Sequence, residues 1–473
     1  MRKEWLAPEI VSGLTKLLDF VTIVLVGAIA FIAYLVAYLE NDDNLGRYMV
    51  TALVGAVIFT AILERLDGYR FDRLSNIAWQ VPRLAIAWFG SVSVLLVLAF
   101  VAKLSETYSR GWAISWAIGV AAVLVVSRTA LYVAIARAKR HGNFIRSVAI
   151  VGAGDLGKTL IRKLLDVRES GMQVVGVFDD RKTRISPHDI DVPFRGTTSD
   201  LLEFARRHHV DEIIVALPLN AERRLRGIFD KLRALPADIR LSIDPLTGIF
   251  PVHGLDKVRD VPLLAVADRP LKQWSGIAKR IEDALLAGIF LALFAPAIAL
   301  IALIIKLDST GPVFFVQDRF GFNNKRIRVL KFRTMHDDQS DPSGAQRTIR
   351  NDPRVTRVGR VVRALSFDEL PQLINVVKGE MSLVGPRAHA IAMMAGDRLY
   401  HEAVDTYFHR HRVKPGITGW AQVNGLRGEI DSLEKARQRV AYDLEYIERW
   451  SLWLDIKILA RSAGILFERR NAY

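Results

Sequence analysis

The chain contains no cysteine among its 473 residues. This absence excludes disulfide bonds, thiolate metal centres and a cysteine nucleophile together. Tyrosine is missing from the whole central region, since none occurs between Tyr132 and Tyr400. That region therefore lacks the tyrosine and lysine pair of short-chain dehydrogenases, which argues against hydride chemistry there.

Acidic residues are fewer than basic ones, and this imbalance limits the partners. There are 65 Lys and Arg against 50 Asp and Glu, a formal net charge of +15. Such a charge suits nucleic acid, anionic lipid or phosphorylated substrates. The sequence has no internal repeat, zinc-ligand spacing or other nucleic-acid signature, so we expect lipid and phosphate rather than nucleic acid. With 51% hydrophobic residues and a positive mean hydropathy, the chain is predicted to be a membrane protein.

Four apolar segments within residues 1–140 predict four transmembrane helices, near residues 18–39, 47–64, 81–102 and 112–136. The first follows a basic N-terminus without a small-residue cleavage site, which predicts an anchor rather than a cleaved signal. Basic residues concentrate before the first span, between the second and third, and after the fourth. The positive-inside rule therefore places the N-terminus and everything after residue 137 in the cytoplasm.

Residues 145–262 are predicted to form a Rossmann-like α/β domain. A buried strand leads into a glycine-rich turn, with Gly152, Gly154 and Gly157, and then into a helix. This spacing lets a phosphate approach the backbone at a helix N-terminus, and Asp179, at the end of the next strand, is placed to hold a ribose. A bound nucleotide or NAD is one interpretation. The other is that the glycines only form a tight turn in a domain without a ligand.

A fifth apolar segment, residues 278–307, is long enough to cross the bilayer but has Pro296 in its middle. Proline interrupts helices because it lacks the amide hydrogen and its ring clashes with the preceding turn. Both flanks are basic, so a full crossing would place one of them outside the cell, against the positive-inside rule. We therefore predict a re-entrant helix that breaks at Pro296 and keeps both ends cytoplasmic. An ordinary kinked fifth span is the alternative.

Two adjacent carboxylates, Asp368 and Glu369, precede Pro371 and an apolar pattern with helical spacing. Because proline is tolerated in the first turn, the acid pair is predicted at a helix N-terminus, where the helix dipole favours negative charge. Taken alone, such acids most often cap the helix, either Asp368 itself or Ser366 with Glu369 in a capping box. The neighbouring motifs favour chemistry instead.

Three motifs together resemble the bacterial sugar transferases of the polyprenol phosphate phosphoglycosyl transferase superfamily, in their large monotopic form. They are the Ser366 to Arg387 run with its Asp-Glu-Leu-Pro-Gln-Leu core, Lys-Phe-Arg-Thr-Met at 331–335, and Val413 to Gly425. Within the last motif, Lys414 to Gln422 resembles the family's loop near the nucleotide. The resemblance implies a mostly helical catalytic domain over residues 272–473. One departure is Ala388, where the family usually has a second proline; it loosens the loop but leaves Arg387.

The resemblance also implies the residues of the site. Asp368 is implied as the nucleophile that attacks the β-phosphate of a UDP-sugar, Glu369 as its partner, and both as ligands of Mg²⁺. The cations implied for the phosphates are Lys331, Arg333, Arg363 and Arg387. Tyr446 and Asp455 match further family positions. Their alternative is a surface acid on an amphipathic helix at the membrane edge, with Trp450 and Trp453 at the interface.

By resemblance, the chain is expected to transfer a sugar-1-phosphate, with glucose ahead of galactose, from a UDP-sugar to undecaprenyl phosphate and to release UMP. This would be the first membrane step of exopolysaccharide, capsule or O-antigen synthesis, at the bacterial inner membrane. A homodimer and downstream glycosyltransferases are further expected partners. One rival is a membrane-tethered nucleotide-sugar epimerase or dehydratase, which would need Gly152 and Gly154 but not Asp368. The other is a non-catalytic assembly platform, for which Asp368→Asn would be silent.

Overall fold

The chain forms two compact units, Met1–Ile145 and Arg146–Tyr473, in a computed structural model. The residues that the structure describes are 7–39, 44–103, 107–141, 143–165, 172–181, 191–243, 256–258, 261–272, 274–341, 343, 346, 349, 352–395, 397–428, 430 and 432–467.

The described residues of the first unit form helices and the turns that join them. Its helices are α1 (Pro8–Ala30), which continues as a π-helix over Phe31–Val36, α2 (Leu45–Arg65), α3 (Phe71–Leu74), α4 (Ile77–Val101) and α5 (Arg110–Arg140). The four long ones correspond to the four predicted spans, although α1 begins about ten residues earlier than the pattern indicated, with Pro8 in its first turn. Among the described residues, these four helices and one in the second unit are long and apolar enough to cross a membrane.

Tryptophan side chains join the helices of the first unit. The indole nitrogens of Trp112 and Trp116, on α5, donate to the carbonyl oxygens of Gly27 and Ile23 on α1, at 3.1 and 3.0 Å. The close approach depends on Gly27, since a Cβ there would lie 3.2 Å from Trp116 Nε1 on α5 and 3.0 Å from the Cβ of Ala52 on α2. Small residues and side-chain hydrogen bonds are the usual means of joining helices where apolar burial alone provides little preference.

An ion pair is buried in the same bundle. Arg128 Nη2 lies 2.6 Å from Asp19 Oδ2, and the Tyr69 hydroxyl donates to the same oxygen at 3.0 Å. Both charged side chains are almost completely inaccessible. A buried charge at such a position needs a partner of opposite charge, and here Asp19 and Arg128 are each other's partners.

The second unit opens with a seven-stranded sheet. Its strands are β1 (Arg146–Val151), β2 (Met172–Phe178), β3 (Phe194–Gly196), β4 (Glu212–Val215), β5 (Asp238–Ser242), β6 (Asp256–Val258) and β7 (Val261–Ala267). The order is β3-β2-β1-β4-β5-β7-β6, parallel through β5 and antiparallel at β7 and β6. The helices that alternate with the parallel strands are α6 (Asp155–Leu165), α7 (Thr198–Arg207) and α8 (Glu222–Leu232). This order is that of a doubly wound sheet, with its reversal between β1 and β4. The domain extends past the predicted limit at 262, because β7, which ends at Ala267, pairs with β5 and β6 in the same sheet.

The next element is a single long helix, α9 (Trp274–Asp308). It continues through Pro296 as one helix of 35 residues, roughly 52 Å long, where the sequence predicts two helices separated by a break. Only 6% of the residues in its most apolar stretch are buried, so most of the apolar surface of that stretch is not covered by the described part of the chain. Such a surface calls for lipid or another apolar partner.

The remaining elements surround the acid pair. The strands are β8 (Phe314–Phe320), β9 (Arg326–Phe332), β10 (Ser382–Val384), β11 (Met394–Ala395), β12 (Arg398–Leu399) and β13 (Gly416–Thr418). The helices are α10 (Arg357–Ala364), α11 (Gln372–Lys378), α12 (Tyr400–Ala403), α13 (Trp420–Val423), α14 (Leu433–Arg449) and α15 (Leu452–Phe467). The strands β8 and β9 form an antiparallel hairpin, and β10 pairs in parallel with β13.

Candidate active site

The acid pair lies in a short 3₁₀ turn, Phe367–Glu369, directly before α11. The turn begins at Ser366, which is in the left-handed region with φ of 57°. Its side chain makes no capping hydrogen bond but accepts one from Arg427 Nη2 at 2.7 Å. The capping box expected as the alternative is therefore not formed. The position before a helix is as predicted, and the carboxylates are left for other contacts.

Glu369 is held between two cations. Lys331 Nζ, at the end of β9, lies 3.0 Å from Oε1, and Arg387 contacts both carboxylate oxygens through its two terminal nitrogens. Burial alone would raise the pKa of Glu369, but the charges of Arg387 and Lys331 hold that pKa well below its usual range. Glu369 is therefore a permanent carboxylate that fixes two cations in place.

Asp368 has a different environment from its neighbour. Its carboxylate lies 3.8 Å from Lys331 Nζ and makes no hydrogen bond within the part of the chain that the structure describes. Its side chain is 15% exposed. Burial raises the pKa of Asp368, and this effect exceeds the opposing influence of Lys331. Glu369 is equally exposed, at 15%, so the two carboxylates differ in their partners: Asp368 is the one without a hydrogen bond among the described residues, as a nucleophile requires.

A third cation, Arg319 on β8, joins this group although the sequence analysis did not single it out. Nη1 donates to the carbonyl oxygen of Ala388 at 2.7 Å, and Nε and Nη2 donate to Gln317 Oε1. Burial, and then the charge of Arg387, lower the pKa of Arg319 to about 10. The sequence contained a signal: because side chains alternate along a strand, Gln317 and Arg319 share the hairpin face of Lys331.

The site therefore carries an excess of positive charge. Three cations (Arg319, Lys331 and Arg387) surround two carboxylates, which leaves one positive charge. Arg363 adds a fourth, since its charge also acts on Asp368 while its Nε donates to Thr334 Oγ1 at 2.7 Å. An anion such as a pyrophosphate would complete the charge balance.

Arg333 lies in the same motif as Lys331 but points elsewhere. Its buried guanidinium donates to the carbonyl oxygens of Ser309 and Thr310 and to the Ser309 hydroxyl, just after the end of α9. These contacts fasten the end of α9 to the hairpin. Of the four predicted cations, Lys331, Arg363 and Arg387 are brought to the acid pair and Arg333 is not.

Tyr446 and Asp455 come together in a separate buried cluster. The Tyr446 hydroxyl lies 2.9 Å from Asp455 Oδ1 and 3.0 Å from the carbonyl oxygen of Val384. Asp455 Oδ2 also accepts from Trp450 Nε1 at 2.9 Å and lies 2.7 Å from Lys279 Nζ on α9. Because the Asp455 side chain is completely inaccessible, the interpretation as a surface acid is wrong. The cluster joins α9, α14 and α15 behind β10.

At the glycine-rich turn of the sheet domain, Asp179 is already paired with the protein's own groups. Gly152 has φ of +110°, and a Cβ at Gly157 would lie 2.0 Å from the Gly152 carbonyl oxygen, so both serve the turn itself. Asp179 accepts from the amides of Ala153 and Arg181 and is paired with Arg224 on α8. Despite burial, these hydrogen bonds lower the pKa of Asp179.

A ribose bound to Asp179 would have to displace the guanidinium of Arg224. Arg224 is on α8, which follows β4, whereas Asp179 follows β2, so their contact spans the strand reversal between β1 and β4. The contacts thus favour the interpretation as a tight turn. Gly154 differs from the other two glycines, because a Cβ there would meet no atom within 4 Å.

Glycines also let two loops approach closely beside the acid pair. A Cβ at Gly416 would lie 2.1 Å from the amide nitrogen of Gly385, and one at Gly419 would lie 2.3 Å from its carbonyl oxygen. The amide of Gly416 donates to the Pro386 carbonyl oxygen at 3.0 Å. The 413–425 segment thus supports the loop that carries Arg387.

Comparisons with known proteins cover nearly the whole chain. Residues 274–469 match the family described as "Bacterial sugar transferase", and residues 64–242 match "CoA-binding domain". The chain is 37% identical to an undecaprenyl-phosphate glucose phosphotransferase of Komagataeibacter xylinus, over 95% of this chain and 83% of that one. It is 36% identical to the UDP-glucose:undecaprenyl-phosphate glucose-1-phosphate transferase of Escherichia coli strain K12, over 93% of each. It is also 50% identical to the exopolysaccharide production protein PSS of Rhizobium leguminosarum bv. phaseoli, over 39% of this chain and 92% of that protein.

Proposed function

The chain belongs to the bacterial sugar transferases, and from this membership we propose that it transfers glucose-1-phosphate from UDP-glucose to undecaprenyl phosphate, with release of UMP. The observation that carries the proposal is the contrast within the acid pair. Glu369 is fixed by two cations, while the Asp368 carboxylate beside it has a longer contact, of 3.8 Å, with Lys331 Nζ and no hydrogen bond in the described residues. A nucleophile and an anion-binding group of cations thus lie together.

We propose that the reaction passes through a covalent intermediate. A carboxylate oxygen of Asp368 attacks the β-phosphorus, the bond from that phosphorus to the bridging oxygen breaks, and UMP leaves with the electron pair. An oxygen of undecaprenyl phosphate then attacks the same phosphorus, and Asp368 leaves as a carboxylate. Arg319, Lys331 and Arg387 offset the charge that a diphosphate brings to a carboxylate.

Mg²⁺ fits the donor set but would depend on the substrate. Among the described residues no group of three or more acidic or histidine side chains is arranged to hold a metal ion. Mg²⁺ is commonly bound by one or two carboxylates together with substrate phosphate oxygens, and Asp368 and Glu369 could supply that share. When bound, the ion would neutralise phosphate charge and orient the diphosphate.

We propose that the protein lies in the bacterial inner membrane with its N-terminus and catalytic domain cytoplasmic. The distribution of basic loops supports this orientation. The apolar surface of α9 supports contact with lipid, and the basic residues on both sides of it favour a path that keeps both ends in the cytoplasm. The site would then face the leaflet in which the lipid phosphate resides.

The test of the reaction is UMP release by the purified protein with Mg²⁺, undecaprenyl phosphate and a panel of UDP-sugars. We expect acceptor-dependent turnover with UDP-glucose, reduced at least about a thousandfold in Asp368→Asn because the nucleophile is removed. Unchanged turnover in Asp368→Asn would contradict the assignment of the nucleophile. No turnover with any UDP-sugar would contradict the proposed reaction.

The covalent step has its own test, which is rapid mixing with UDP-glucose in the absence of acceptor. We expect a burst of about one UMP per active site, since the first half-reaction needs no lipid. Release of UMP only when acceptor is present would instead indicate direct transfer.

A further inference from the structure

The loop that presents Arg387 to Glu369 is held from behind by a second arginine, Arg410. It lies in a 3₁₀ helix, Tyr407–Arg412, and its side chain is completely inaccessible. Nη2 of Arg410 donates to the main-chain carbonyl oxygen of Arg387 at 2.8 Å. A buried guanidinium therefore binds the backbone of Arg387, the residue whose side chain binds Glu369.

The other donors of Arg410 are fixed as well. Nε and Nη2 donate to Asp443 Oδ2 on α14, at 2.9 and 2.6 Å. Nη1 lies 2.7 Å from Nδ1 of His389, two residues after Arg387. Burial, and then the charge of Arg410, keep the pKa of His389 well below its ordinary value, so the ring is neutral and its Nδ1 accepts. One planar group thus holds the loop at two points and is itself anchored on a helix.

The 3₁₀ helix has little freedom to move, because its other side contacts the sheet domain. His409 Nε2 lies 3.2 Å from the carbonyl oxygen of Asp230, and Arg412 Nη2 donates to that of Asp268 at 2.7 Å. Arg410 is therefore fixed through a segment that is supported from two directions.

We infer that Arg410 is a positioning residue for the transferase reaction: it sets where the Arg387 guanidinium meets Glu369 and the substrate diphosphate. The inference rests on the proposed function. A lysine at this position has one ammonium in place of a planar fork, so it cannot reach the Arg387 carbonyl, His389 and Asp443 together. The lost contact would let the loop shift, and misplacement of about 1 Å is enough to slow catalysis markedly.

The test is a double-mutant cycle between Arg410→Lys and Arg387→Ala, measured by kcat/KM for UDP-glucose in the full-length protein. Arg410→Lys alone is expected to reduce kcat/KM by about 10- to 100-fold. In the Arg387→Ala background the same change is expected to have no further effect beyond about twofold, because the group it positions is gone. Equal losses in both backgrounds would overturn the inference. Arg226→Lys, an exposed arginine on α8, is the matched control and should leave turnover unchanged.

The same cycle is run on UDP affinity by calorimetry, which needs no turnover. Arg410→Lys should weaken UDP binding only when Arg387 is present, and independence of the two changes would again overturn the inference. Failure of the wild type to release UMP from UDP-glucose would count against the proposed reaction alone.

If Arg410→Lys does not fold, the double variant Arg410→Met with Asp443→Leu takes its place. This pair removes both buried charges, so neither is left without a partner. It should keep the thermal midpoint near that of the wild type while kcat/KM still falls. Full activity in this folded double variant would contradict the inference.

Discussion

Asp368 and Glu369 are neighbours in sequence with opposite electrostatic environments. Two cations bind Glu369 and lower its pKa, whereas burial dominates at Asp368 and raises its pKa. Environments that shift the pKa values of two carboxyl groups in opposite directions allow the two groups to take different roles. Glu369 thus organises the cations, and Asp368 is the carboxylate that we propose for attack on phosphorus.

The pH dependence of UMP release should follow Asp368. Because attack needs the ionised carboxylate, activity should fall as pH drops through its pKa, which lies above that of an ordinary aspartate. Lys331 lowers this pKa, so Lys331→Met should move the acid limb of kcat/KM to higher pH as well as reduce its maximum. Lys325→Met, an exposed lysine before β9, is the matched control and should leave the limb in place. A limb that moves to lower pH in Lys331→Met would contradict the assignment.

At the scale of elements, α9 shows what a local pattern can and cannot predict. The apolar stretch and its length were evident from sequence, and Pro296 was expected to break it. The helix nevertheless continues, because a proline removes one hydrogen bond while long apolar flanks keep the rest of the helix intact.

The acid pair, Lys331 and Arg387 were predictable since each lies in a contiguous motif with its own spacing. Arg410 was not, because its importance comes from a carbonyl group 23 residues away in the chain. Arg319 lies in no such motif, and the alternation of side chains along the hairpin with Lys331 was its one signal in the sequence. Arg333 and Asp455 were predicted to bind the substrate. Both are buried, and their charged groups bind other parts of the protein instead.

The ion pair between α1 and α5 gives a prediction about stability. Asp19→Ala leaves Arg128 buried without its partner and should reduce the free energy of unfolding by about 3–5 kcal/mol. Asp19→Leu with Arg128→Met removes both charges and should reduce it much less. Thermal unfolding in detergent measures both variants. A single variant that is no less stable than the double variant would contradict the role of the pair.

At the scale of the whole molecule, the sheet domain, which follows the helical bundle in the sequence, has the strand order of a nucleotide-binding fold, but its candidate ribose-binding acid is already paired. Asp179 is bound by the Ala153 amide and by Arg224. Fold alone does not establish a ligand, and these contacts favour a supporting role.

Gly154→Ala tests this role, because the added Cβ meets no protein atom but would obstruct a phosphate at the turn. We expect UMP release within about twofold of the wild type. We also expect no shift of the wild-type thermal midpoint on addition of NAD. A midpoint raised by NAD in the wild type and not in Gly154→Ala would show a dinucleotide site. It would revive the epimerase or dehydratase alternative.

At its contact with the catalytic domain, the sheet domain offers main-chain oxygens to three side chains, beside one side-chain contact from Arg206 to the ring of Phe408. The acceptors are Ala205, Asp230 and Asp268, and the donors are Asn323, His409 and Arg412. A carbonyl oxygen survives any substitution of its own side chain, so these contacts constrain the path of the sheet domain and not its residues. Side chains on the surface of this domain could therefore be substituted while these hydrogen bonds, two of which hold the segment behind Arg387, are kept.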